Sequence, residues 1–175
     1  MSVHLIVDGY NVIRQSSVMA PLDRQDLQLG REALVNHLAA YKRLKGHKIT
    51  VVFDGVGDAV LFENKDREKG ILIKFSRLGE TADAVIKRMV ASEKQKALVV
   101  SSDREIIDFS ASQGAATIGA VEFEDKMAMA AFMDLKGIDP ESGVDDGWVF
   151  TTQKKGPSKR LTKKKRLNRK RLKKL

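Results

Sequence analysis

Asp8, Asp54, Glu80, Asp83 and Asp103 are the residues of this chain whose type and placement can do chemistry. Asp8 closes the apolar run "VHLIV", Asp54 closes "KITVVF", and Asp103 follows "ALVVSS"; Glu80 and Asp83 open the helical pattern after "ILIKF". In an open parallel sheet, ligands bind in the crevice beyond the carboxyl ends of the strands, and this spacing puts all five acids on that edge. Carboxylates gathered there repel one another and raise each other's pKa values, so a cation is the natural compensation. Oxygen-only ligands point to Mg²⁺ or Mn²⁺ rather than zinc.

Each acid also has a purely structural explanation. Asp8 and Asp54 both precede glycine, and Asp-Gly is an ordinary turn dipeptide. Asp103 can cap a helix, with Ser101 and Ser102 as rivals, and Glu80, Thr81 and Asp83 can complement a helix dipole. Several such coincidences on one edge favour a metal site over independent caps and turns. Rival chemistries lack their motifs: there is no G-x-S-x-G elbow, no Walker loop and no G-x-G-x-x-G after a strand. With no cysteine, thiol catalysis and zinc ribbons are excluded, and a reducing, cytoplasmic compartment is expected. His4, His37 and His47 are scattered without metal-ligand spacing. Arg31, following Gly30 near the start of a helix, can reach the crevice and hold a phosphate, or can be a solvated helix residue.

The elements that must position these acids follow from periodicity. "VHLIV", "KITVVF", "ILIKF", "ALVV" and the weaker "AATIGAV" are five candidate strands, continuously apolar as in a parallel sheet buried on both faces. Helical patterns alternate with them at 27–44, 81–89, 105–111 and 122–135. The expected fold is α/β: a three-layer α/β/α sandwich with a mainly parallel sheet of about five strands. Residues 1–136 form the expected domain, and a Gly-, Pro- and Asp-rich linker spans 137–153, with Trp148 available to pack back. A basic tail, 154–175, is expected to be disordered when free, with a helix available to it on nucleic acid.

Charge divides the same way. Thirteen of the 32 basic residues and none of the 23 acidic ones lie between Lys154 and Leu175, which leaves 19 against 23 and a body of −4 within a net +9. Such a tail reads as an anchor for polyphosphate, or as a solvated extension. No run approaches the roughly eighteen apolar residues of a membrane span, and the first residues do not resemble a signal peptide.

"LIVDGYNVI", "GREALVNHLAAYKRLKGHKITVVFDG", "KFSRLGETADAVIKRMV" and "ALVVSSDREI" together resemble the successive blocks of the YacP-like branch of NYN-domain nucleases, relatives of PIN domains and 5′ nucleases. The resemblance covers about Ser2 to Phe132 and leaves the basic tail outside the domain pattern. It implies a metal-dependent endoribonuclease in which Asp8, Asp83 and Asp103 are the metal-binding acids, with Asn11, Arg31 and Asp54 in the active-site region. On this basis Mg²⁺ or Mn²⁺, helped by Asp54 or Glu80, activates water for attack on RNA and leaves 5′-phosphate and 3′-hydroxyl ends. Family members cut messenger RNA, in some cases with the ribosome. Expected RNA contacts are Arg31, Arg104, backbone amides near Thr81 and Arg104, and the tail residues Lys163, Lys164, Lys165, Arg166, Arg169, Lys170 and Arg171. Tyr10 either stacks on a base of single-stranded RNA or belongs to the core. The rivals are a non-catalytic RNA- or ribosome-binding protein and a metal-dependent phosphatase.

Overall fold

The structure is a computed structural model that describes residues 3–55, 65–136, 163–173 and 175. The expected linker, residues 154–162 and Trp148 lie outside these.

Strand β1 (His4–Asp8) is buried along its whole length and lies in the middle of a six-stranded sheet. It is followed by α1 (Gly9–Gln15), α2 (Met19–Gln25), α3 (Leu27–Lys45), β2 (Lys48–Phe53), β3 (Lys65–Glu68), β4 (Ile71–Phe75), α4 (Ala82–Glu93), β5 (Ala97–Val100), α5 (Arg104–Ser112), β6 (Ala116–Ile118), α6 (Ala120–Lys136) and α7 (Lys163–Leu172). The strand order is β3-β4-β2-β1-β5-β6, with every pair parallel except β3 with β4. From β1 the chain moves outward to β2 and β4, then returns to the other side of β1 for β5 and β6. The reversal makes the carboxyl end of β1 the topological switch point, where the loops diverge and leave a crevice.

Strand alternation builds two cores. Leu5, Val7, Ile49, Val51 and Phe53 pack beneath α1, α3 and α6, while Ile6, Val52 and Val99 pack beneath α4 and α5. The three-layer arrangement is therefore present, with one strand more than expected. The extra strand, β3, reads Lys-Asp-Arg-Glu and carries no apolar signal; its backbone bonds to β4 define it. Lys69 and Gly70, both at positive φ, make the two-residue hairpin between them. The short α2 accepts Pro21 because it falls in the first turn, where no intrahelical N–H bond is lost.

The tail differs from expectation over Lys163–Leu172, which is helical rather than disordered. Leu172 packs against the main core and Leu175 is buried in it, where the Tyr41 hydroxyl donates to the Leu175 carbonyl (3.1 Å). Asn168 accepts from the Thr117 N–H of the edge strand (3.3 Å), and Arg171 donates to the Gly114 carbonyl (2.9 Å). Two leucines and three hydrogen bonds anchor a segment whose lysine-rich composition conceals them. No helix among the described residues is long and apolar enough to cross a membrane.

Gly9 ties β1 to α1, and its reason is space rather than a left-handed turn. A Cβ there would overlap the Phe53 ring, which is held by Tyr10 (centroids 5.1 Å apart) and Phe75 (5.7 Å). Gly9→Ala should therefore destabilise the protein by about 1 to 3 kcal/mol, the usual range for overpacking, despite the helix propensity of alanine. Urea unfolding of the variant beside wild type measures this.

Candidate active site

At the switch point Asp8 is only 8% exposed. Its Oδ2 accepts from the Ser101 hydroxyl (2.9 Å), and its Oδ1 faces the Asn11 N–H (3.5 Å), so the carboxylate also caps α1. Burial pushes the Asp8 carboxyl up to about 6; the bonds from Ser101 and Asn11 pull it down, and the charges of Asp83 and Asp54 push it up again. Ser101, itself fully buried, also accepts from the Asp103 N–H (3.1 Å) and so links the ends of β1 and β5.

The other aspartates are fixed by the helix starts. Asp103 caps α5, accepting from the N–H groups of Glu105 (2.8 Å) and Ile106 (3.2 Å). Asp54 accepts from the N–H of Ala82, the first residue of α4 (2.6 Å), while Thr81 caps the same helix through the Ala84 N–H (3.3 Å). Asp83 stands in the first turn of α4. Its carboxyl is raised by burial first, then by Asp103, with Lys87 opposing and Asp54 and Glu105 adding to the rise. Capping and clustering are thus one arrangement, in which Asp83 and Asp54 act on Asp8, and Asp103 and Asp54 act on Asp83.

Asn11 has a positioning place. Its Oδ1 accepts from the Ser102 N–H (2.9 Å) and from Gln15 Nε2 (3.1 Å), which locks α1 to the loop after β5. Ser102 Oγ in turn accepts from the Ala120 N–H at the start of α6 (3.0 Å).

The other expected site residues each have contacts of their own. Glu80 is held by Arg88 Nη1 (2.5 Å), which keeps its carboxyl below the usual value, whereas Asp8 and Asp83 are raised. Its Oε1 is held in that ion pair, while Oε2 is buried without a hydrogen-bond partner. Tyr10 is 6% exposed and edge-on to Phe53, so the core reading applies and the base-stacking one does not. Arg31 donates to the Tyr10 hydroxyl through Nε (2.9 Å) and Nη2. Its guanidinium lies 5.0 Å from the Phe75 ring centroid and 5.5 Å from those of Phe53 and Tyr10, an aromatic cage at the ends of β2 and β4. Arg104 is exposed beside Asp103. The amides of Ala82, Ala84, Glu105 and Ile106, near the positions expected to hold phosphates, are taken by the caps.

In the tail, Arg169 and Lys170 are exposed, but Arg171 is half-buried on Gly114 and its pKa is lowered by that burial. The side chains of Lys163, Lys164, Lys165 and Arg166 lie outside the described residues. Two neighbours of the acids escaped sequence reasoning: Glu105, and Lys87, whose ammonium bonds the Glu105 carboxylate. An acidic residue directly after the first residue of α5 and a lysine four after Asp83 were the available signals.

Among the described residues no three His, Asp or Glu side chains form a ready metal cage. The donor set nevertheless fits a hard divalent cation. It is all oxygen, two of its carboxyls are raised by burial and mutual repulsion, and Mg²⁺ is commonly held by one or two carboxylates with its remaining positions on water and substrate.

The family model for the YacP-like NYN domain matches residues 5–175. The chain belongs to that family. The match continues past Lys136 into the basic tail, which the sequence resemblance had left outside the domain pattern. The chain is 31% identical over 85 residues to "Uncharacterized protein YacP" of Bacillus subtilis (strain 168), and spans about half that relative's length (49%), with 49% of its own length matched. The fold is similar to the crystal structure of Rae1 (YacP) from Bacillus subtilis, with a TM-score of 0.63 and 24% identity over 79% of this chain and 80% of that one. A mutant form of the same protein gives 0.62 and 24% over 73% and 76%. At that identity the likeness concerns the YacP-like NYN fold.

Because the native state raises the Asp8 pKa from 3.8 to about 6, it binds the proton more tightly than the unfolded chain. Stability from this group is complete below pH 4 and is lost as pH rises through 6. With EDTA present, Asp8→Asn should match wild type below pH 4 and exceed it at pH 7 by up to about 3 kcal/mol, since each tenfold difference in proton affinity is worth about 1.4 kcal/mol. Urea unfolding at the two pH values tests this.

Proposed function

We propose that the protein is a metal-dependent endoribonuclease acting at the carboxyl end of β1. The observation that carries this reading is the buried Asp8 carboxylate, hydrogen-bonded to Ser101 and pushed up by Asp83 and Asp54. Asp8, Asp83 and Asp103, with Asp54 beside them, would hold Mg²⁺ or Mn²⁺, which when bound polarises phosphoryl oxygens and lowers the pKa of water. The chain's own contribution is placement. Ser101 fixes the Asp8 oxygens, the α5 cap fixes Asp103, and Asn11 braces the loop carrying both serines. Arg104, exposed beside Asp103, is the side chain available to meet the substrate phosphodiester, since Lys87 is paired with Glu105 and Arg31 is committed to its aromatic cage.

Single-stranded RNA is the substrate this reading favours, because a crevice at a strand edge admits a strand more readily than a duplex. Action on messenger RNA at the ribosome extends the family resemblance, and an RNA substrate with a cysteine-free chain fits the cytoplasm. Exposed Arg169, Lys170 and Lys173 in the tail would add salt-sensitive attraction. The lack of a ready three-ligand cage among the described residues favours a second reading, an RNA-binding protein without catalysis.

Cleavage of end-labelled single-stranded RNA separates the two. Wild type should cut with Mn²⁺ or Mg²⁺ and not with EDTA, and Asp8→Asn and Asp83→Asn should each lose at least about a hundredfold in rate, about 3 kcal/mol of barrier. Binding without cutting, on free RNA and on translating ribosomes alike, would favour the second reading. The tail is better tested by charge than by deletion, since deletion removes Leu172 and Leu175 from the core. Replacing Arg169, Lys170 and Lys173 with Gln should lower the salt dependence of RNA binding by up to about 2 in the log–log slope, at about 0.7 per phosphate contact on single strands. A salt titration of the full-length variant against wild type measures it.

A further inference from the structure

Helix α6 is apolar on two sides. Ala120, Phe123, Met127 and Ala130 are buried where it packs on α1 and α3. On the opposite side Val121, Asp125, Ala128, Phe132 and Leu135 are all exposed, and they follow one another at spacings of four, three, four and three. That spacing holds side chains in one strip along a helix and is the seam spacing of paired helices. The three large apolar residues of the strip stay half or more in water: Val121 is 55% exposed, Phe132 51% and Leu135 87%. A lone exposed leucine needs no explanation, but an apolar strip at seam spacing does.

Shape and charge along the strip say what fits it. Ala128, its smallest residue, lies on the wall of a hollow of about 70 Å³ between α6 and the turn from α1 to α2, with the exposed Val18 beside it. A large side chain set against Ala128 therefore meets a recess. The charges differ at the two ends. Glu122 and Asp125, near the start of α6, are exposed and have no partner among the described residues. Lys136, at its end, is exposed and reaches the Phe132 ring, 4.6 Å from the centroid. A second α6 packed parallel would set Glu122 and Asp125 against their own copies. Packed antiparallel about a twofold axis level with residue 130, it sets Phe132 of each copy against Ala128 of the other, and Lys136 beside the other's Glu122 and Asp125.

We propose that the protein forms a reversible dimer through this strip, α6 against the α6 of a second copy in antiparallel register, with Phe132 and Leu135 as its apolar anchors and Glu122 paired with the partner's Lys136 at each end. A single helix pair falls at the low end of interface sizes, so the expected dissociation constant is about 10 to 100 µM. The interface would also adjoin the aspartate crevice. The strip begins one residue after Ala120, whose N–H bonds Ser102 Oγ on the loop after β5, so the end of the partner's α6 would stand beside that loop.

Sedimentation equilibrium of the full-length protein, freed of nucleic acid, over about 1 to 500 µM is the test. Wild type should pass from monomer to dimer within that range. Leu135→Lys should raise the dissociation constant at least about tenfold. Glu122→Lys and Lys136→Glu should each raise it about fivefold, and Glu122→Lys/Lys136→Glu together should return it to within about twofold of wild type. The two residues lie about 21 Å apart along one helix, so only contact between copies gives that rescue. If circular dichroism shows Leu135→Lys to be unfolded, the charge exchange alone decides. A protein that stays monomeric throughout overturns the proposal; a lower urea midpoint for its Phe132→Ser variant would then mark a strip covered within the same chain, and weaker RNA binding by that variant would mark an RNA contact. A dimer indifferent to the substitutions, or one that the double exchange fails to restore, overturns it as well, since the copies then meet elsewhere or in another register.

Discussion

The bond from Ser101 to Asp8 is the constraint on which the site depends. A carboxylate that is 8% exposed loses most of its hydration, and the nearby aspartates worsen its position. The Ser101 hydroxyl offsets part of that loss while accepting the Asp103 N–H, so one small side chain sets the relation between the first and fifth strands. It can do so only because β1 and β5 are parallel neighbours with their carboxyl ends level. The sheet order, the crevice and the acid cluster are consequences of the same topology.

The parts of this arrangement visible in the sequence are those that repeat locally. Continuous apolar runs announce the parallel strands, and acids closing three of them, Asp8, Asp54 and Asp103, mark the carboxyl edge of the sheet. The competing turn and cap readings proved to describe the same residues from another side: Asp8 and Asp103 cap helices, Asp54 bonds the first amide of α4, and the acids still share one field. Gly9 shows why the dipeptide was ambiguous. It is helical, and the Phe53 ring, 44 residues away in sequence, excludes a side chain there.

What the sequence hid depends on pairing across long separations. β3 is a strand because β4 lies beside it, not because Lys-Asp-Arg-Glu prefers extension. Glu80 looks like a cluster member until Arg88, eight residues on, takes its charge, and Tyr10 looks available until Phe53 and Arg31 surround it. The ordered helix Lys163–Leu172 was masked by composition: thirteen basic residues obscure the two leucines that dock it.

The two borders of the sheet are guarded by different means. At one border the exposed Asp66 and Arg67 of β3 present charge that any strand approaching from outside would have to desolvate. At the other, β6 is only three residues long, and Asn168 of α7 accepts the Thr117 N–H, so that a side chain takes a place an invading backbone would use. A helix rich in lysine and arginine thereby also acts as a chaperone-like cover for a sticky ribbon. Losing it would uncover an edge suited to intermolecular strand addition, making aggregation, rather than weaker RNA attraction alone, the first consequence of clipping that segment.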